Sequence, residues 1–333
     1  MERQAPPTHI DVSVIVPVFN CAQYLVELLE SLCAQVHCSL EIIAVNDGST
    51  DESLAILERY SRLDPRIVIV TQENLGLSAA RNTGIQLARG DWIAFADGDD
   101  WLAPDALHTW CKEGLEKKLD VVIGNGFRFD TCPTQVLTNP ICSWKPSEAV
   151  ISGEDWVIQS VAQRQWKHYA WLQLIRRSLV VENDLRFQVG MFHEDILWTT
   201  HLAACAKRIG FCDAPFYGYR ISPTSITNTA SQDTIVRRVR SYIAIVDGLS
   251  NATSWSHLSP RFRKALLRQA NIEAGHLTGL LRNHTLPLSH QPPVAEFTLI
   301  RKLIAPVFKG ATTASEVWRA VRFWRTVFRI FPK

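Results

Sequence analysis

Between Phe95 and Leu102 the sequence reads FADGDDWL, which places three carboxylates, Asp97, Asp99 and Asp100, within four residues. Ionised carboxylates this close repel one another, so either a solvated loop screens them or a cation sits among them. Asp97 and Asp99 offer hard oxygen ligands suited to Mg²⁺ or Mn²⁺, which typically bind through one or two carboxylates plus substrate phosphates. Arg81, in LSAARNTG, supplies a planar positive fork for a phosphate oxygen, with a surface salt bridge as its plainer use. Neither GxxxxGK[ST] nor GxGxxG occurs, so no glycine-rich backbone is available to cradle a diphosphate, and a cation would have to take that part. The chemistry suggested is metal-assisted handling of a nucleoside diphosphate.

These residues need elements to hold them. VSVIV (Val12 to Val16) is a continuous apolar run, as expected of a strand buried on both faces. Leu25, Leu28, Leu29 and Leu32 then fall at i, i+3, i+4 and i+7, one stripe of a helix. LEIIAV (Leu40 to Val45) is a second strand, and STDE (Ser49 to Glu52) has the form of a capping box opening the next helix. RIVIV (Arg66 to Val70), a helix over Ser78 to Ala88, WIAFA (Trp92 to Ala96), a helix from Pro104 and DVVIG (Asp120 to Gly124) continue the alternation. Such alternation implies right-handed βαβ units, a mainly parallel sheet and an α/β fold. Ligands of these sheets bind at the carboxyl ends of the strands. Polar residues cluster there: Asn20, then Asn46-Asp47-Gly48, then Glu73-Asn74, then the aspartates after Trp92 to Ala96. Each is also an ordinary turn residue; their gathering on one sheet edge is the signal.

Composition narrows the classes. The chain has 333 residues, 47% hydrophobic and 20% charged, which is globular rather than disordered. A formal charge of +2 argues against a strongly basic nucleic-acid binder, and no nucleic acid is expected as partner. Eight cysteines without a CxxC pair or regular spacing indicate neither a zinc site nor a disulfide framework. The start, MERQAPPTHIDVSVIV, lacks the pattern of a signal peptide, and no apolar run reaches the ~20 residues of a membrane span. A cytoplasmic protein is expected.

The ordered motifs VSVIVPVFN, AVNDGSTD, ENLGLSAARNTG and FADGDDWLAPD, from Asp11 to Asp105, closely resemble those of the family 2 glycosyltransferases, with their nucleotide-sugar-binding GT-A fold. FHEDILWTTHLAACAKRIGFCDAPFYGYRISPTSIT (Phe192 to Thr227) is similar to the family's acceptor-side region. The resemblance implies roles by position. Pro17 and Asp47 would line the nucleoside pocket, the Asp accepting from the base ring. Arg81 would lie by the diphosphate. Asp97 would face the ribose and Asp99 ligate the metal, Mg²⁺ or Mn²⁺. Asp195 would be the catalytic base of an inverting transfer from a nucleoside-diphosphate sugar to a glycan or lipid-linked glycan hydroxyl, as in bacterial cell-surface polysaccharide synthesis. Asp100, Glu194 and Arg220 match positions that are often polar, without an assigned task. On this reading residues 1–230 form the GT-A catalytic domain and residues 231–333 a helical C-terminal region.

Asp195 also reads from its chemistry. An inverting displacement needs a base opposite the leaving group, and a carboxylate serves. Asp195 opens an amphipathic stretch (Ile196, Leu197, Leu202, Cys205, Ile209), so a helix N-terminus would keep it ionised while weakening it as a base. Glu194 and Asp195 as mere helix caps are the alternative. His193 and His201 lack HExxH spacing and read as packing residues.

Beyond Thr227 the resemblance fades. Residues 235–282 are helix-like, and HTLPLSHQPPVAE (His284 to Glu296) reads as a proline-bearing loop and internal boundary. Residues 301–333 hold eight Lys/Arg against one acid, Glu316. On a helical projection Val317, Val321, Trp324 and Phe328 share one face and Arg319, Arg322 and Arg329 another. That pattern fits an interfacial helix on an anionic membrane, at the inner face of the cell membrane, or equally a helix packed on the protein with a solvated basic edge. Two other functions stay open. A sugar-1-phosphate nucleotidyltransferase should carry a glycine-rich basic loop where PVFNCAQY stands; a non-catalytic nucleotide-sugar-binding module would not need Asp195.

Overall fold

The computed structural model describes residues 9–138, 140–222, 231–252, 255, 257–283 and 294–330. Its strands are β1 (Val12–Val18), β2 (Leu40–Asp47), β3 (Ile67–Gln72), β4 (Trp92–Phe95), β5 (Trp101–Leu102), β6 (Val121–Phe129), β7 (Val150–Ile151), β8 (Gln173–Arg176) and β9 (Ile209–Arg220). Its helices are α1 (Ala22–Cys33), α2 (Ser53–Leu63), α3 (Leu77–Leu87), α4 (Ala106–Glu116), α5 (Gly153–Gln163), α6 (Arg177–Glu182), α7 (Glu194–Cys205), α8 (Gln232–Asn251), α9 (Pro260–Asn283), α10 (Val294–Lys302), α11 (Ile304–Lys309) and α12 (Ala314–Ile330). The chain divides into two compact units. The first comprises Met1–Gly153, Lys167–Gly190 and Cys205–Pro223, the second Glu154–Trp166, Met191–Ala204 and Thr224–Lys333.

The first unit is built on a nine-stranded sheet in the order β3-β2-β1-β4-β8-β6-β9-β5, with β7 also paired to β9. β1, β2, β3 and β4 are parallel, as the alternation of apolar runs and helices requires. The sheet then departs from expectation. β8 inserts between β4 and β6 and runs antiparallel to both, so the sheet is mixed. Four residues are too few for a periodicity signal, which is why β8 is silent in the sequence. Ile209 opens the long strand β9 rather than closing the helix begun at Glu194, which ends at Cys205.

The stripe Leu25, Leu28, Leu29 and Leu32 is fully buried against the strand residues Val12, Val14 and Val16 and against Trp92 and Trp110, the core of this unit. The expected capping box over Ser49 to Glu52 does not form. α2 begins at Ser53, and Asp51 serves two helices at once: Oδ1 accepts from Ser53 N at 3.0 Å and Oδ2 from Ala22 N, at the start of α1, at 3.0 Å. This ties the β1–α1 loop to the β2–α2 loop. Asn20, in the left-handed region at φ 48°, adds a second tie by accepting from Thr50 N at 2.7 Å.

The second unit is helical. α9 packs against α8, α11 and α12. Buried Asn271 on α9 donates to the Val307 and Glu316 carbonyls at 3.0 and 3.1 Å and accepts from Arg319 at 2.8 Å, so every side of its amide is used. Glu316, on α12, is fully buried. Burial alone would raise its pKa, but donors from Thr312 and the Arg268 guanidinium outweigh that and hold it at about 2. A carboxyl depressed in the folded state stabilises the fold above its unfolded pKa, and that contribution is lost as the pH falls towards 2. Glu316→Gln leaves Arg268 without its buried counter-charge. It should cost about 3–5 kcal/mol in chemical denaturation near neutral pH and much less near pH 2. The proline-bearing loop expected at 284–296 falls largely outside the described residues; α10 is helical from Val294. Among the described residues no helix is long and apolar enough to cross a membrane.

Candidate functional site

The carboxyl ends of β1, β2 and β4 carry the polar residues singled out from sequence. Pro17 is buried in β1 two residues past Ile15, where pairing with β4 stops at Phe95, so its missing N–H removes no bond from that ladder. Asp47 ends β2, 3% exposed, with its carboxylate heavily engaged. Oδ1 accepts from Gln72 Nε2 at 2.7 Å and Leu75 N at 2.9 Å, and Oδ2 accepts from Gly76 N at 2.8 Å. Asp47 therefore shapes the loop entering α3, and Oδ2 keeps one acceptor direction for a further donor.

The aspartate cluster forms a tight turn after β4, with Asp100 N donating to Asp97 O at 3.0 Å. Gly98 is required there by close approach: a Cβ at this position would meet the Cys21 sulfur at 2.6 Å. Asp97 is partly exposed and accepts from Arg81 Nη2 at 2.8 Å. Arg81 does form an ion pair, but a buried one. Its guanidinium lies over the Phe187 ring at 5.2 Å and the Phe95 ring at 5.9 Å, aimed at Asp97 rather than standing at the surface.

Asp100 points inward, 0% exposed. It accepts from the Tyr217 hydroxyl at 2.7 Å and from Arg220 N at 2.9 Å, while the Tyr217 oxygen in turn accepts from Asp97 N at 3.1 Å. Arg220 gathers the surrounding segments. It donates to the Asp99 carbonyl at 2.8 Å and to the Asp130 carbonyl at 2.6 Å, pairs with Glu27 of α1, and lies over the rings of Phe129 and Tyr24. β9 thus brings two side chains, Tyr217 and Arg220, to brace a turn more than a hundred residues earlier. Arg220 and Asp100, which the sequence left without a task, acquire one here.

Asp99 is differently placed. Among the described residues its carboxylate receives no hydrogen bond from another side chain, and burial and then the Asp97 charge push its pKa up to about 6. Cys21 feels the same surroundings: burial, and then Asp99, push its thiol up to about 12. Carboxylates held together in a partly buried turn with a net negative field fit a divalent cation. Among the described residues no three His, Cys, Asp or Glu side chains form a ready-made metal cage. That suits a cation whose remaining ligands come from substrate phosphates and water.

An aromatic stack lies beside this turn and was not foreseen. Trp171 stacks on Tyr169 at 4.7 Å, Tyr217 at 4.5 Å and Tyr219 at 5.3 Å between centroids. Burial, and then Asp100, Asp99 and Asp97, push the Tyr219 phenol up to about 12, which places it in the field of the same carboxylates. Tyr217 and Tyr219 at i and i+2 share one face of β9, a legible signal; nothing local marks Trp171.

Asp195 belongs to the second unit. It sits in the first turn of α7, half-buried, after His193 turns the chain at φ 56°. Glu194 beside it is buried. His193 packs on the Tyr242 ring at 5.1 Å and His201 on the Trp255 ring at 5.2 Å, as packing residues would. Tyr242 is pushed up by burial, then by Glu273, and further by Asp195, so the Asp195 charge lies near that phenol.

A mixed sheet whose β1 to β4 run parallel, flanked by helices and carrying a braced Asp-x-Asp turn at its carboxyl edge, has the GT-A fold. The family model described as Glycosyl transferase family 2 matches residues 13–146. "Uncharacterized glycosyltransferase YibD" of Escherichia coli (strain K12) is 31% identical over 329 residues, covering 94% of this chain and 92% of that protein. Among solved structures, S. aureus TarS 1-349 in complex with UDP-GlcNAc matches with a TM-score of 0.60 at 18% identity, over 94% of this chain and 90% of that one. The mannosyltransferase PcManGT from Pyrobaculum calidifontis, in complex with GDP-Man and Mn²⁺, matches with a TM-score of 0.52 at 16% identity, over 98% and 88%. The chain belongs to glycosyl transferase family 2, which decides for sugar transfer over the nucleotidyltransferase and the non-catalytic module.

Proposed function

We propose that this glycosyltransferase is metal-dependent and inverting, and moves one sugar from a nucleoside-diphosphate donor to a hydroxyl of a glycan or lipid-linked glycan in bacterial cell-surface polysaccharide synthesis. The observation that carries this reading is the turn Asp97–Asp100, braced by Tyr217 and Arg220 with the Asp99 carboxylate left for a ligand. The nucleotide sugars and the Mn²⁺ of the two structural neighbours support the same donor class and cation.

In this reading Pro17 and Asp47 wall the nucleoside pocket, with the spare acceptor direction of Asp47 Oδ2 meeting the base. Asp97, held by Arg81, faces the ribose, and Arg81 contributes positive charge on the diphosphate side. Asp99 and its neighbour would hold Mg²⁺ or Mn²⁺, whose Lewis acidity offsets charge on the departing diphosphate. Asp195 takes the proton of the acceptor hydroxyl as its oxygen attacks the anomeric carbon and the bond to the diphosphate breaks. A lipid-linked acceptor would bring the enzyme to the inner face of the cell membrane.

The test is a screen of UDP-, GDP-, CDP- and dTDP-sugars with Mn²⁺ and with Mg²⁺, monitoring release of the nucleoside diphosphate. One donor should be turned over slowly in water and faster with an acceptor glycan. Release from none of them, by protein shown to be folded, would overturn the donor assignment.

A further inference from the structure

α12 carries two apolar arcs, and only one of them is covered. The inner arc, Ala320, Phe323 and Val327 with Glu316 and Thr326, is buried in the packing on α9. Gly275 on α9 allows this closeness, since a Cβ there would meet Arg319 Cδ at 2.8 Å. The outer arc is Val317, Val321, Trp324 and Phe328, and adjoining it lies Trp318. Val317, Trp318, Trp324 and Phe328 remain 39–56% exposed. With about 100° between successive residues, Arg325, Arg329 and Arg322 follow next around the helix, all three exposed. Arg325 lies over the Trp318 ring at 6.0 Å, and Arg301 of α10 over the Phe328 ring at 5.6 Å. The helix therefore presents aromatic rings rimmed by guanidinium groups to the outside.

The charge on this face is of one sign. Glu316 is the only acid in residues 301–333, and it is buried and bonded to Arg268. Lys302, Lys309 and Phe308, on the preceding helices, are exposed as well. Beside the helix a cavity of about 370 Å³ is lined by His276, Trp318, Arg319 and Arg322, which provides guanidinium donors of the kind a phosphate group accepts. Exposed tryptophan and phenylalanine with arginine alongside is the composition of a helix that lies in a bilayer interface, the rings at the headgroup level and the cations on anionic lipid.

The geometry points to the outer arc of α12 as a docking surface for an anionic phospholipid bilayer, with Trp318, Trp324 and Phe328 entering the headgroup region and Arg322, Arg325 and Arg329 pairing with lipid phosphates. This goes beyond the transfer reaction and is read without donor or metal, so its failure and that of the proposed activity are separable. Deleting the tail would strip Glu316 and Phe323 from the packed helices, so the test uses point substitutions on the full chain.

Wild type should co-sediment with vesicles of phosphatidylcholine and phosphatidylglycerol, far less with phosphatidylcholine alone, and progressively less as salt is raised. Arg322→Gln/Arg325→Gln/Arg329→Gln should weaken the anionic-vesicle affinity by roughly a hundredfold. Trp318→Ser/Trp324→Ser/Phe328→Ser should weaken it at least as much. Melting temperature and donor hydrolysis should stay at wild-type values in both, because these side chains are exposed. Equal binding by wild type and variants overturns the proposal, as does equal binding to neutral and anionic vesicles. Sedimentation velocity showing a dimer that the same substitutions dissolve, with no vesicle binding, would overturn it in favour of a second copy of the chain on this face.

Discussion

Asp99→Asn should abolish turnover, with a loss of at least a thousandfold, on the order of 4 kcal/mol of transition-state stabilisation. Asn keeps the shape of the side chain but removes the ionised oxygen, and it relieves rather than worsens the repulsion with Asp97. The turn itself should survive, because its braces are the Tyr217 hydroxyl on Asp100 and the Arg220 guanidinium on the Asp99 carbonyl, neither of which uses the Asp99 carboxylate. The variant should thus melt at or slightly above the wild-type temperature. Donor affinity measured by calorimetry should fall when Mn²⁺ is present and change little when it is absent. Wild type treated with EDTA should resemble the variant and recover on adding metal. Full turnover in chelator would return the carboxylates to the role of a solvated loop.

For Asp195→Asn the expected pattern is the converse: donor affinity near wild type, turnover down by roughly two to four decades. The side chain lies in the first turn of a twelve-residue helix, inside the cap position, where Asn gives up only the roughly 0.3–1 kcal/mol that a negative charge gains from the helix dipole. Folding should hardly change. A residue that only caps α7 predicts retained turnover in the same variant, so melting temperature, donor affinity and rate measured together separate the two roles. A stable, donor-binding and fully active Asp195→Asn protein would remove the residue from the chemistry.

Much of the site was legible because it is local. FADGDDWL puts its carboxylates side by side wherever the chain goes, and the Leu25–Leu32 stripe announces a buried helix face through the 3.6-residue repeat alone. β1 to β4 and their helices followed from alternating apolar runs, since each must cover its own sheet face. The capping box at Ser49 misled because its pattern is satisfied on paper by two residues, whereas the helix found a better partner in Asp51, which also serves α1.

What lay beyond the sequence involves partners far apart along the chain. Tyr217 reaches Asp100 across 117 residues and Arg220 reaches Glu27 across 193, and a pattern of neighbours holds no record of such distances. β8 was invisible because four residues have no period, yet its antiparallel insertion sets the spacing between β4 and β6. α12 shows the division most clearly. Its sequence determined an amphipathic helix, read as one apolar face of Val317, Val321, Trp324 and Phe328 with arginines on another, and by hydrophobicity that arc was as good a packing face as any. Only the tertiary structure decided that α9 takes the arc of Phe323 instead. The narrow residues Ala320 and Thr326 and the buried Glu316–Arg268 pair let two helices approach there, while tryptophan and phenylalanine are left facing outward.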